Sequence, residues 1–281
     1  MLKVSSALIC GTKILKESDT PRLDCEVILG HVLGFNRLRL IVENGMDLND
    51  KQYEKFKELV DRRAKGEPIA YIVGNKEFMS LDFVVCPGVL IPRGDTETIV
   101  QIAIKECQNR QGIVNVVDVG CGSGAIGISI AKYAQNSVVT LIDISDISTC
   151  VTKTNAEINN VLDRVRITQG NLLLPVFDEK YDIIISNPPY IETSVIKTLQ
   201  TDVKDFEPII ALDGGEDGLE FYKKIIPQAL ECLQNNGVII FEIGYNQAES
   251  VSKILKYNGF KDIEVFKDLG GNDRCVVGRK C

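Results

Sequence analysis

A stretch of apolar residues that runs into three spaced glycines constrains this chain more than any other feature. It reads Val116-Val117-Asp118-Val119-Gly120-Cys121-Gly122-Ser123-Gly124, and Ala125-Ile126-Gly127-Ile128 follows as the opening of a helix. Glycine lets a backbone turn sharply and lets a ligand press against it, while a helix N-terminus favours electron-rich groups. From Ile113 onward the pattern alternates strand and helix. Strands are predicted near 113–119, 138–142, 164–168, 181–186, 237–243, 262–267 and 274–279. Helices are predicted near 95–110, 124–135, 146–160, 218–235 and 246–258, with Pro227 kinking the fourth of these. Such alternation implies an α/β fold with a mostly parallel sheet covered on both faces.

The glycine turn alone leaves its ligand open. Gly122-x-Gly124-x-x-Gly127 also fits a dinucleotide fingerprint, a weak signal by itself. Asp143, ending the second strand, is spaced to hold ribose hydroxyls in either case. A second corner narrows the choice. The apolar strand Tyr181–Ser186 stops at Asn187-Pro188-Pro189-Tyr190. Proline has no N–H, so the backbone there only accepts hydrogen bonds. The Asn187 side-chain oxygen and a proline carbonyl give two neutral acceptors beside the flat ring of Tyr190. Two acceptors suit a planar NH2 group, whose lone pair is delocalised and has to be oriented before it attacks. An Asp-x-Gly-x-Gly-x-Gly turn, then Asp143, then Asn-Pro-Pro-Tyr after the fourth strand is the order seen in methyltransferases that use S-adenosylmethionine. In an open α/β sheet the carboxyl ends of neighbouring strands share one crevice, so Gly120, Asp143 and Asn187 are expected to face it. Asn171-Leu172 follows the third strand; Asn171 reads equally as an adenine neighbour or a turn residue.

The first 75 residues read differently, as short helices. Asp19-Thr20-Pro21 starts one, with Leu23, Val27, Ile28 and Val32 at helical spacing and Gly34 closing it. Asn49 is placed to cap another, whose apolar face is Tyr53, Phe56, Leu59 and Val60. Residues 1–75 are expected to form a helical recognition domain, 76–92 a hairpin and linker, and 93–281 the catalytic domain. Asp95 and Glu97 suit a helix N-terminus. Over residues 1–83, 13 Lys and Arg balance 13 Asp and Glu, so the remainder carries the whole net charge of −7. An acidic catalytic portion argues against a phosphate-binding surface, and so against direct nucleic-acid binding. Nine scattered cysteines without a C-x-x-C pair, and a single histidine, His31, argue against a zinc site, a disulfide framework and histidine chemistry. No apolar run is long enough for a membrane span. The segment Met1–Cys10 does not read as a signal peptide. A cytoplasmic monomer is expected.

With these residues in place the chain resembles the HemK/PrmC family, the protein-(glutamine-N5) methyltransferases that modify peptide chain release factors. The resemblance runs almost end to end. It is carried by Glu67-Pro68-Ile69-Ala70-Tyr71-Ile72-Val73-Gly74 with Glu77-Phe78, by Val89-Leu90-Ile91-Pro92-Arg93, and by Ser186–Ile191. Glu207-Pro208, Ala211–Leu219, Phe241-Glu242-Ile243-Gly244 and Asp268–Arg274 also match. Two positions depart. Gly94-Asp95 stands where the family usually has Pro-Glu, and Asn171 stands where it often has an acid. The resemblance implies a Rossmann-like S-adenosylmethionine-dependent methyltransferase sheet with a small N-terminal helical domain. It implies cofactor contacts at Gly120, Cys121, Gly122, Ser123, Gly124, Asp143, Asn171, Leu172 and Asn187. The acceptor is the glutamine of a Gly-Gly-Gln loop in class-I release factors. Asn187 and the Pro188 carbonyl would bind its N–H groups, with Pro189 shaping the corner and Tyr190 packing on the amide. Two rivals use similar chemistry: methylation of adenine or cytosine amino groups in DNA, and glutamine methylation of a ribosomal protein. Three features stay open at this level. Gly214–Gly218 reads as a substrate loop or a connection, Glu242 as a site group or a solvated carboxylate, and Arg93 as a substrate contact or a partner of Asp95 or Glu97.

Overall fold

The computed structural model describes residues 2–281, and Met1 lies outside that range. The chain divides into two compact units. One comprises the first 75 residues with Gln200–Phe206; the other comprises Lys76–Leu199 and Glu207–Cys281.

The first unit holds β1 (Leu2–Lys3), α1 (Val4–Ile14), α2 (Pro21–Leu33), α3 (Arg37–Val42), β2 (Asp47–Leu48), α4 (Asp50–Ala64) and α5 (Ile69–Val73), and later receives α10 (Thr201–Lys204). Pro21 occupies the first turn of α2, and Gly34 ends the helix in the left-handed region at φ 65°. The α2 stripe differs from the expected one. Cys25, Ile28 and Leu29 are buried, while Leu23 and Val27 are exposed. Asn49 caps α4 as a reciprocal box: its Oδ1 accepts from Gln52 N, and Gln52 Oε1 accepts from Asn49 N. Phe56, Leu59 and Val60 of α4 then close on Val4, Leu8 and Ile28.

The second unit opens on all but the first residue of a hairpin, β3 (Asn75–Phe78) and β4 (Leu81–Val84). It continues α6 (Glu97–Gln108), β5 (Val114–Val119), α7 (Ala125–Tyr133), β6 (Ser137–Asp143), α8 (Asp146–Ile158), β7 (Val165–Gln169), β8 (Tyr181–Ser186) and α9 (Thr193–Ile196). It ends α11 (Glu220–Cys232), β9 (Leu233–Glu242), α12 (Ala248–Tyr257), β10 (Lys261–Lys267) and β11 (Asp273–Arg279). The seven-stranded sheet has the order β10-β11-β9-β8-β5-β6-β7. β5 to β9 pair in parallel, and β11 runs antiparallel to both β9 and β10. The chain steps outward from β5 to β7, then returns to lay β8 on the other side of β5. That reversal is the topological switch point, where such sheets open a crevice.

β5, β8 and β9 are apolar on both faces because helices cover both. Val116, Ile183, Ile185 and Ile240 pack with Ile99, Ala103 and Ile128 on one side. Val117, Ile184, Ile239 and Phe241 pack with Tyr222, Ile226, Val251 and Leu255 on the other. Each fully buried isoleucine contributes roughly 1.5–3 kcal/mol. The helix expected to reach residue 235 ends at Cys232, because β9 starts at once and pairs Leu233 with Tyr181. The polar run Gln234-Asn235-Asn236 disguised that strand as a turn. Among the described residues no helix is long and apolar enough to cross a membrane.

Candidate active site

Parallel registry brings the carboxyl ends of the strands to one edge. Val119 lies opposite Ile142, Asp118 opposite Ile185, and Ser186 opposite Phe241. The residues just beyond these ends line a cleft of about 270 Å³, near the lower end of small-molecule sites. Of the sequence-predicted positions, Gly120, Cys121, Gly122, Ser123, Asp143, Asn171, Leu172, Asn187, Pro188 and Pro189 line it.

The β5 corner is built mainly from backbone. Gly120 and Gly122 adopt φ of 75° and 56°, and a Cβ on either would enter open space rather than protein. That is the surface of a cradle left clear for a ligand. Asp143 ties the cradle to β6: its Oδ2 accepts from Gly122 N at 2.8 Å and its Oδ1 from Ser145 N at 2.9 Å. Each carboxylate oxygen keeps a further lone pair for a hydroxyl. Gly124 does something else. A Cβ there would strike Ile128 and Thr152, so this glycine serves packing behind the loop. Cys121 is buried and its thiol is held well above its ordinary value by burial, so it stays protonated and is no nucleophile. Asp118 lies beneath the loop, fully buried, where its Oδ2 accepts from Gly127 N at 2.9 Å and starts α7. Burial pushes its carboxyl up to about 7.

The β8 corner is held by side chains from distant segments. Ser186 donates to Val119 O at 2.7 Å, locking β8 to β5. Asn187 Nδ2 donates to Thr96 Oγ1 at 3.4 Å, and among the described residues its Oδ1 has no protein donor. Gln247 Nε2 donates to Tyr190 O at 3.0 Å and to Gly218 O at 3.2 Å. The Gly214–Gly218 stretch is a buttress of this turn. A Cβ on Gly214 would stand 2.7 Å from Tyr190 Cα, and one on Gly218 would stand 2.5 Å from Tyr190 O. Gly214 N also donates to Ile191 O at 2.8 Å, and Ile191 N to Leu212 O at 3.0 Å.

Three expectations change here. The Tyr190 ring packs with the core beside Tyr222 and Phe241, and its hydroxyl donates to Glu242 Oε1 at 3.2 Å; the ring is not part of the cleft wall. Glu242 is not solvated. It is 2% exposed, and burial pushes its carboxyl up to about 7, an effect partly offset by the Thr96 hydroxyl, Arg274 and Tyr190. Arg93 does not pair with Asp95 or Glu97, which stand in the first turns of the 3-10 segment Gly94–Thr96 and of α6 as expected. Arg93 pairs with buried Glu207, Asp95 with Arg274 at 3.2 Å, and Glu97 Oε1 accepts from Met79 N at 2.9 Å.

Other supports went unread in the sequence. Asn155 of α8 donates to Ser123 O and Val84 O and accepts from Val84 N, tying the glycine loop to the hairpin. Thr152 donates to Gly122 O at 3.0 Å. The signal was available: Val151, Thr152, Asn155 and Ala156 share one helical face, and two polar residues on a buried face need partners. Leu90, Pro92, Pro208, Ile210 and Phe221 add apolar wall, and Arg93 and Thr96 also line the cleft. Among the described residues no cluster of His, Cys, Asp and Glu is arranged to hold a metal ion.

Residues 6–74 match the PrmC N-terminal domain family and residues 97–204 the methyltransferase small domain family. The chain is 44% identical to a release factor glutamine methyltransferase of Clostridium botulinum, over 97% of this chain and 98% of that one. It is 43% identical to one of Clostridium acetobutylicum, over 98% of each. A methyltransferase of known structure from Pyrococcus furiosus shares the fold at a TM-score of 0.55 and 20% identity, over 78% of this chain and 98% of that one.

Proposed function

The chain belongs to the release factor glutamine methyltransferase family, and from that premise we propose that it moves a methyl group from S-adenosylmethionine to the side-chain amide nitrogen of the Gly-Gly-Gln glutamine in class-I release factors. One observation carries the reading: a ribose-type carboxylate, Asp143, and a pair of neutral acceptors, Asn187 and the Pro188 carbonyl, stand at neighbouring corners of one cleft.

The clear space over Gly120 and Gly122, and the remaining lone pairs of Asp143, fit the cofactor. Asp143 would hold its ribose hydroxyls, the Gly120–Ser123 backbone would bed its middle, and Asn171 with Leu172 would flank the adenine. When bound, S-adenosylmethionine supplies a methyl group on a sulfonium sulfur, an electrophile that leaves behind a neutral thioether. Asn187 Oδ1 and the Pro188 carbonyl each take one N–H of the substrate amide. This fixes the plane of the NH2 group and draws electron density onto nitrogen along the line of attack. Neither acceptor is basic enough to remove the proton. The methylated amide is cationic at transfer and acidic enough to release it to water. Tyr190 secures the turn from behind.

The test is direct. Purified protein is incubated with S-adenosylmethionine and an unmodified class-I release factor, with duplex DNA as a parallel acceptor, and both products are examined by mass spectrometry. One added methyl on the Gly-Gly-Gln glutamine is expected. Methyl on DNA with none on the release factor would overturn the substrate and leave the amine grip.

A further inference from the structure

Asn187 has to show an acceptor to the substrate, yet an asparagine amide has an acceptor end and a donor end of nearly equal shape. What meets the inner end decides which one faces out. The inner end meets Thr96, which is 4% exposed and sits in the single 3-10 turn Gly94–Thr96 before α6. The Thr96 hydroxyl also faces the carboxyl of Glu242 and favours its charged form. A hydroxyl has one proton to give. If that proton goes to Glu242, only lone pairs remain for Asn187, and only Nδ2 can meet them.

We infer that Glu242 and Thr96 are positioning residues that set the polarity of Asn187: the carboxylate takes the Thr96 proton, Thr96 accepts from Asn187 Nδ2, and Oδ1 is left for the substrate. This rests on the amide grip proposed for Asn187. Glu242 is suited to the task because an ionised carboxylate only accepts, whereas a glutamine there would offer either end. Its Oε1 already takes the Tyr190 hydroxyl, while its buried Oε2 has no hydrogen-bond partner among the described residues and is open to a donor. Keeping a charge so buried is costly for packing alone.

Protonation reverses the chain. A neutral Glu242 can donate to Thr96, whose own proton then turns to Asn187 and draws Oδ1 inward. The groups facing Glu242 are Asp95 and Thr96 ahead of α6, Tyr190 after β8, Tyr222 of α11, and Arg274 and Cys275 of β11. Burial outweighs Arg274 and the hydroxyls and holds the carboxyl at about 7. Turnover therefore rises as pH climbs through that value.

Four variants decide it, assayed for turnover at saturating S-adenosylmethionine and for cofactor affinity by calorimetry. Thr96→Val lowers kcat roughly tenfold to a hundredfold with cofactor affinity unchanged, and Thr96→Ser recovers activity to within about threefold of the parent. Glu242→Gln flattens the rise of kcat between about pH 6 and 8. The inference fails if Thr96→Val stays within about twofold of the parent, if Thr96→Ser is as slow as Thr96→Val, or if Glu242→Gln keeps the pH rise. Should Glu242→Gln not fold, the Thr96 pair still decides. Asn187→Ala separates the two levels. If it turns over normally, the amide grip is wrong and the positioning pair falls with it; if it is inactive while Thr96→Val is normal, only the positioning pair is lost.

Discussion

The two corners of the cleft solve the same problem in opposite ways. After β5 the chain is held from within 32 residues of itself: by glycines at positive φ, by the Asp143 carboxylate of the adjacent strand end, and by Thr152 and Asn155 of α8, which donate to the Gly122 and Ser123 carbonyls. After β8 two prolines remove the backbone donors, so the turn cannot hold itself. It is held instead by Thr96, Glu242 and Gln247, which reach it from 52 to 91 residues away along the chain, and by the close approach of the Gly214 backbone. A corner that cradles a flexible cofactor works with local backbone shape. A corner that must aim one planar nitrogen needs rigid support from several directions.

The largest test of that contrast is Gly214→Ala. The new Cβ would meet main-chain atoms of Tyr190 and Pro189, which cannot swing aside as a side-chain end can. The turn shifts, and turnover falls by about a hundredfold or more while cofactor affinity holds. Equal losses in both would show the corners to be one coupled unit and break the contrast. Next in size is Asp143→Ala, which frees two backbone N–H groups and removes the ribose acceptor. Calorimetry should show S-adenosylmethionine binding weakened about tenfold to a hundredfold, with kcat at saturation within about threefold of the parent. A fall in kcat with unchanged affinity would move Asp143 from binding to aiming.

The same contrast explains what the sequence disclosed. The β5 corner was legible because strand, glycines and helix are contiguous, and Asp143 ends the very next strand. The sheet was legible too, since helices on both faces require apolar runs at β5, β8 and β9. The supports of the β8 corner were not, because Glu242 and Thr96 carry no local signature of their partnership. A glutamate at a strand end reads as solvated until the strand beside it is known. Gly214 and Gly218 read as a substrate loop or a flexible connection because close backbone approach and flexibility both ask for glycine. Tyr190 showed that a ring was present without showing on which side of the turn it packs.

Two buried carboxylates whose protons are held by burial give the third test, on stability. Asp118 and Glu242 hold their protons more tightly when folded than at their ordinary values of 3.8 and 4.5, each at about 7. The folded state thus binds more protons than the unfolded chain between those limits, and stability falls as pH rises through the interval. Asp118→Asn keeps an acceptor for Gly127 N–H and removes one of the two charges. Urea unfolding from about pH 5 to pH 8 should show its loss of stability less steep by up to about 1.4 kcal/mol per pH unit. An unchanged slope would mean that Asp118 is already ionised across this range.

The smallest effect sharpens the reading of the β8 corner itself. Tyr190→Phe keeps the ring in the core and deletes only the hydroxyl on Glu242 Oε1. If the tyrosine works by packing on the substrate amide, phenylalanine replaces it without loss. If it anchors the turn to Glu242, the variant loses about 1 kcal/mol of stability and a few-fold in turnover. The deletion also strips one donor from a carboxyl that burial already pushes up, so the pH at which turnover rises should move higher. A shift of that midpoint belongs to the anchor alone, since stacking on the substrate has no means of changing the ionisation of Glu242.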